Sequence, residues 1–214
     1  VDFTSCTMLP TTGEGVPLCQ VDSLRHTPLA WPKLWKHHGA LQQTERMNAV
    51  ASERQESFLK RYGGVIGLEW LFPKILETIE CAPNVAEAAE IWLEAGDWFV
   101  WQLVGGSADT LTRSTCQAGY KAMWSADEGY PSQEFFAAVN PLLAEVVASK
   151  LPGVMRSPGE SAGGLTTEMA QRFGLHPGTP VSTAIIDAHA AVPGVGAAQP
   201  GTLVMVLGTS SCHM

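Results

Sequence analysis

Apolar residues fall in short groups along this chain, broken repeatedly by Gly and Pro, and the spacing within each group predicts an element. Residues 1–9 and 16–21 are two short strand-like runs around the turn cluster "PTTGEGVP", which together predict a hairpin. From Trp35 to Tyr62 the pattern turns helical, with Leu41, Met47, Val50, Phe58 and Leu59 set among charges until Gly63 and Gly64 end it. "LEWLFPKILETIE" predicts a helix interrupted or started at Pro73. A further helix is expected over Val85–Leu103, capped by Asn84, carrying Trp92, Phe99 and Trp101, and stopped by Gly105 and Gly106. Residues 107–130 lack a clean period and read as strand and loop, after which helices return at 131–138 and 141–150. In "GGLTTEMAQRFGL" Thr166 or Thr167 supplies the cap of a short helix and Gly174 its end. "TPVSTAIID" is an apolar strand, and residues 188–197 are small-residue helix or turn. The mixture predicts a helix-rich α/β fold, most helices lying between an early and a late strand pair.

Composition narrows the function more than the fold. Hydrophobic residues make up 45% and charged residues 16%, which fits a folded chain with a sizeable core. The formal charge is −8 without a long Lys/Arg run, so neither a nucleic-acid groove nor an anionic membrane surface is expected as partner. An acidic chain can still hold phosphate through local backbone N–H groups. Cysteines at 6, 19, 81, 116 and 212 form no C-x-x-C pair, which predicts reduced thiols in a cytoplasmic protein and no metal site. No apolar run reaches membrane-spanning length, and no signal peptide is expected. The chain opens on "VDFTSCTML" and closes on "GTLVMVLGTSSCHM", both strand-like, and is read as a segment of a longer protein. Unpaired strands at its ends would leave open sheet edges, which makes a homodimer an expected association.

Three places could carry chemistry. Asp187 ends the apolar strand "STAIID", where α/β sheets meet their ligands; partly desolvated, its carboxylate could take a proton from a substrate hydroxyl. It could equally cap the helix that begins at Ala188. In "LGTSS", Gly208 lets backbone approach a ligand while Thr209 and Ser210 offer hydroxyls to a phosphate, though an ordinary hairpin turn reads the same. The third place comprises "WPKLWKHHGA" and "STCQAGYKAMW", which mix indole, ammonium and imidazole groups as sugar sites do. For His37 and His38 the alternative is a solvated helix start, and for Lys121 a surface amine lying on Trp124.

The order of these motifs resembles the FGGY carbohydrate kinases. Gly163, Leu165, Ala170, Gly174, Leu175, Gly178, Pro180, Val181, Asp187, Ala188 and Gly194 follow the family pattern G-x-L, A-x-x-x-G-L-x-x-G-x-P-V and D-A-x-x-x-x-x-G. "GDWFVWQLVGG" resembles the family's G-D-Y-L-x-x-x-L-T-G with Trp98 and Val104 as departures, and "WLFPKILETIE" resembles its W-x-x-P-K segment. "VDFTSCTMLP", "LWKHHGA" and "GYKAMW" are similar to the ribulokinase branch. The resemblance implies a partial, helix-rich ribonuclease-H-like fold of the actin and hexokinase type. Residues 1–193 would be part of the sugar-binding domain and 194–214 the start of the ATPase domain. It implies phosphorylation of ribulose to ribulose 5-phosphate by ATP with Mg2+, as in arabinose catabolism, with L-ribulose ahead of D-ribulose. Asp187 would be the general base, Ser5, Trp35 and Lys121 would line the sugar pocket with it, and Gly208, Thr209 and Ser210 would meet phosphate. The family's D-x-G-T-type phosphate loop and its adenine pocket find no counterpart in these residues, so the segment alone is expected to be inactive. The alternatives are an FGGY kinase for xylulose, glycerol or another polyol, and a non-catalytic sugar-binding homologue.

Overall fold

The computed structural model describes residues 1–197, 199–208 and 211–214. In chain order the elements are β1 (Asp2–Phe3), β2 (Met8–Thr11), α1 (Leu41–Glu53), α2 (Leu71–Cys81), α3 (Pro83–Ala88), β3 (Ile91–Glu94), α4 (Ala95–Val104), β4 (Thr112–Ser114) and α5 (Thr115–Lys121). There follow α6 (Gln133–Val139), α7 (Pro141–Ser149), β5 (Val154–Arg156), β6 (Ser161–Gly164), α8 (Thr167–Phe173), β7 (Pro180–Ser182), β8 (Ile185–Ile186), α9 (Asp187–Gly194), β9 (Met205–Leu207) and β10 (Ser211–His213). The strands pair two by two. β1 with β8 and β4 with β5 run parallel; β2 with β3, β6 with β7 and β9 with β10 run antiparallel. Among the described residues these pairs close no barrel.

The β2–β3 ribbon is buried along its whole length. Alternate residues point to opposite faces of a strand, and here the two faces serve different cores. Met8 and Trp92 join the larger cluster, which includes Met47, Phe72, Ile75, Phe135 and Leu143, while Leu9, Ile91 and Leu93 join a smaller one with Trp101 and Leu111. The larger cluster is built by α1, α2, α6 and α7. Among these, α2 is buried continuously from Leu71 to Ile79, as a helix covered on all sides must be. Phe72 of α2 meets Phe136 of α6 at 4.5 Å between ring centroids and Tyr130 at 5.7 Å.

Local chemistry explains several helix ends. Ser132, Asn140 and Thr166 accept first-turn backbone N–H groups of α6, α7 and α8, and Gly174 ends α8 at φ 68°, in the left-handed region that suits glycine. Four expectations need correction. Residues 16–21 form no strand: a single bridge joins Thr11 to Pro17, and β2 pairs with the distant β3 instead. The run Trp35–Tyr62 is helical only from Leu41, with a 3-10 turn at Ser57–Tyr62. The expected helix Val85–Leu103 is α3, β3 and α4 in succession, and Ala82 rather than Asn84 holds the cap position, because Pro83 fits the first helical turn. Residues 107–130 contain the helix α5, capped by the Ser114 side chain. α2 begins two residues before Pro73, which costs nothing there because first-turn N–H groups have no partner within the helix.

Replacing Phe72 with alanine removes the ring that joins α2 to α6, and should cost about 3–5 kcal/mol. Urea unfolding of both proteins measures it; a loss below about 1 kcal/mol would contradict this account of the core.

Candidate active site

Parallel strands end on the same side, and the crevice beyond their carboxyl ends is where α/β sheets present ligand-binding groups. β1 and β8 are such a pair, with Phe3 opposite Ile186. The residues that follow them, Thr4 and Ser5 on one strand and Asp187 and Ala188 on the other, border one cavity of about 270 Å³. Trp35, from the irregular segment between residues 31 and 40, and Tyr120 and Lys121, from the end of α5, line it too. Val206, Gly208 and Cys212 of the β9–β10 hairpin complete the lining. Ser5, Trp35, Lys121, Asp187 and Gly208, singled out in the sequence, thus meet around one space; Thr209 and Ser210 lie outside the described residues.

Each polar group is held differently. The Ser5 side chain is buried, and among the described residues its Oγ has no hydrogen-bond partner. The Lys121 ammonium pairs with Glu69 Oε1 at 3.3 Å and lies 5.7 Å from the Tyr120 ring centroid. Its ring neighbour among the described contacts is therefore Tyr120 rather than Trp124. Asp187 is the first residue of α9, with Ile186 at the cap position, so it is not the cap in the strict sense. Its Oδ1 accepts the Ala188 N–H at 2.7 Å, which orients the carboxylate without consuming its second oxygen. Asp187 is exposed rather than desolvated, because β8 ends at the cavity rim and the carboxylate opens to solvent. Two residues on, His189 Nδ1 meets Cys116 Sγ at 3.0 Å and its ring packs edge-on against Tyr120 at 5.0 Å. Burial lowers the His189 pKa, and Asp187 opposes that shift.

His37 is tied down rather than solvated, 2.7 Å from Glu77 Oε2. Gly39 makes that contact feasible, since a Cβ there would come within 2.2 Å of Glu77 Oε1. Sequence reasoning missed Glu69, Thr4, Val206 and Cys212. Glu69 lies 52 residues from Lys121, and no local pattern announces so distant a partner.

A buried acidic pair adjoins the site. Cys6, next to Ser5, faces Glu94, and Asp97 accepts the Ser114 N–H at 2.9 Å. Burial pushes Glu94 up to about 8; Cys6, Lys74 and Lys121 offset this only in part, and Asp97 reinforces it. Burial likewise raises Asp97 to about 7 against the lowering effects of Arg113 and the Ser114 N–H.

The helix-rich α/β architecture is shared by known structures. A xylulose kinase from Bifidobacterium adolescentis superposes with a TM-score of 0.75 at 13% identity, covering 100% of this chain and 46% of that one. Plasmodium falciparum glycerol kinase with ADP superposes with a TM-score of 0.69 at 15% identity, covering 98% and 38%. No family model matches the sequence. Ribulokinase of Shouchella clausii is 49% identical over 214 residues, all of this chain and 37% of that protein. Ribulokinase of Bacillus licheniformis is 48% identical over 214 residues and that of Mycolicibacterium smegmatis 44% over 213, covering 38% and 37% of those proteins. The chain is thus similar to ribulokinases over its whole length and spans little more than a third of the length of these relatives.

The Glu94 carboxyl has an ordinary pKa of 4.5 and a folded value of about 8, so the fold favours its protonated form. That stabilisation is complete below about pH 4.5 and is lost as pH rises through about 8. Between about pH 5 and 9 the wild type should therefore lose more stability than Glu94→Gln, by on the order of a few kcal/mol. Because Asp97 reinforces the Glu94 shift, the difference between the two proteins includes the coupling of the pair. Thermal melts across that range decide it, and parallel curves would refute the buried-acid assignment.

Proposed function

We propose that this cavity is the acceptor-sugar site of an ATP-dependent kinase that converts ribulose, L-ribulose in preference to D-ribulose, to ribulose 5-phosphate. The observation that carries the reading is the meeting of Ser5, Trp35, Lys121, Asp187 and Gly208 around one space in a chain 49% identical to a ribulokinase. Residues 1–193 would form part of the sugar-binding domain and 194–214 begin the ATPase domain.

An indole face and buried hydroxyl suit a pentulose: Trp35 covers C–H groups while Ser5 Oγ and the Lys121 ammonium bond hydroxyls. Glu69 fixes the ammonium at the wall, which limits the orientations of the sugar. Asp187, oriented by the Ala188 N–H, takes the proton from the C5 hydroxyl as that oxygen becomes the nucleophile. ATP with Mg2+ supplies the phosphoryl group in this chemistry. On this chain Gly208 borders the cavity with no side chain to obstruct a phosphate. Among the described residues no group of three or more His, Cys, Asp or Glu is placed to hold a metal ion, so no step is assigned to a metal held by these residues.

In the full-length protein carrying these residues, Asp187→Asn should lower kcat by about 100- to 10,000-fold, the range for a lost general base, with a smaller change in KM. Coupled ADP release with L-ribulose, D-ribulose, D-xylulose and glycerol provides the measurement. Unchanged turnover in the variant would remove Asp187 from the mechanism. A higher kcat/KM on xylulose or glycerol would overturn the ribulose assignment, and no sugar-dependent turnover by the wild type would favour a sugar-binding homologue without catalysis.

A further inference from the structure

Two of the cavity's walls come from segments with no helix or strand of their own. Ser5 stands in the turn between β1 and β2, and Trp35 in the irregular stretch of residues 31–40. Such segments need tertiary hydrogen bonds to keep one geometry, because their own backbone groups are not paired by regular structure. One tie is the backbone bridge between Met8 and Lys33, at 3.0 and 2.8 Å. Another lies nearer the cavity. Lys74, fully buried in the middle of α2, donates from Nζ to the Cys6 carbonyl at 2.6 Å and to the Leu34 carbonyl at 2.9 Å. Cys6 immediately follows Ser5, and Leu34 immediately precedes Trp35. The same helix, one turn on, grips the second segment again through Glu77 and His37.

A buried lysine needs a reason. No carboxylate lies within ion-pair distance of Lys74 in the described structure, so the side chain is not there to neutralise an acid at contact. Hydrophobic anchoring does not explain the Leu34 segment, since the Leu34 side chain is 52% exposed. The ammonium group is what ties that backbone to α2 at this point.

We propose that Lys74 is a positioning residue for the sugar site: one buried ammonium clamps the two irregular segments that present Ser5 and Trp35, and so fixes the distance between them. Lys74 touches no substrate in this account and acts through its two carbonyl partners. The effect on sugar rests on the reading of the cavity given above; the clamp itself does not.

Lys74→Met keeps the length of the stem and removes both hydrogen bonds. The variant leaves the Cys6 and Leu34 carbonyls without this donor, which costs stability, so a thermal melt first establishes that it folds. Hydrogen exchange of the full-length protein, read over residues 4–8 and 33–37, should quicken about tenfold or more, the size expected for losing a charge-assisted bond. Exchange in α1 and α6 should stay unchanged. KM for L-ribulose should rise about tenfold while kcat changes less, because Asp187 stands on neither clamped segment. Leu143→Ala, a core truncation in α7, serves as the control: it destabilises the protein but should leave KM and the exchange of both segments unaltered. If Lys74→Met fails to fold, Lys74→Gln takes its place under the same criteria. Unchanged exchange in both segments would overturn the clamp, as would a KM effect no larger than that of Leu143→Ala. If the wild type neither binds nor phosphorylates any ribulose, the sugar-site reading fails, and the exchange comparison still decides the clamp.

Discussion

The buried β2–β3 ribbon is the constraint on which the rest of the structure depends. It is only two strands wide, yet it divides the interior, with Met8 and Trp92 in the helical core and Leu9, Ile91 and Leu93 in a second cluster. A one-residue slip in register would exchange those two sets of side chains, and neither core could accept the other's volumes. The ribbon also fixes what enters and leaves it. The turn with Ser5 leads directly into Met8, and Glu94 leads directly into α4. The cavity wall therefore inherits its position from a hydrophobic partition.

Around that partition lie several charged groups that a core would ordinarily exclude. Lys74, Glu94, Asp97 and Arg113 are each nearly inaccessible to solvent. Lys74 and Arg113 have a common strategy: both donate to backbone carbonyls, Arg113 to Trp92 at 2.8 Å and Pro152 at 2.5 Å. A cation used in this way satisfies acceptors that irregular chain leaves unpaired. Glu94 is different, because among the described residues neither carboxyl oxygen has a hydrogen-bond partner within bonding geometry, and the Gln117 amide is likewise buried without one. Unsatisfied groups of this kind are costly, and protonation of Glu94 is the least costly state for it. The polar interior beside the site is thus held together unequally, tightly at the carbonyl clamps and loosely at the acids.

Legibility in the sequence followed the range of the interactions concerned. α8 could be read because Thr166 and Gly174 act within a few residues of the helix they bound, and α6 and α7 carry similar local signals in Ser132 and Asn140. β3 was hidden because "IWLE" is buried on both faces and so lacks the alternation that marks a half-exposed strand. Its partner β2 lies 80 residues away, and nothing near Pro17 reveals that the apparent hairpin partner would be displaced. α5 escaped notice because Thr115, Cys116, Gly119 and Tyr120 are weak helix formers; the cap at Ser114 and the tertiary setting outweigh that preference. The residues around the cavity were legible through the order of family motifs. Of their supports, Lys74 falls on the W-x-x-P-K segment, which says nothing of the distant carbonyls it reaches, and Glu69 carried no signal of its own.

Asp187 is oriented here without being buried. A base that relied on desolvation would lie deep in the fold, where its supporting groups would have to exclude water permanently. Asp187 instead stands at the rim, directly beyond the apolar residues Ile185 and Ile186. The strand pairing fixes its backbone and the Ala188 N–H fixes one oxygen, so its orientation is set by local geometry before any ligand arrives. An exposed and oriented carboxylate gains most when a bound ligand excludes water from it, since electrostatic interactions strengthen as the local dielectric falls. Permanent rigidity thus lies with Lys74 and the ribbon, while the carboxylate edge of the cavity stays open.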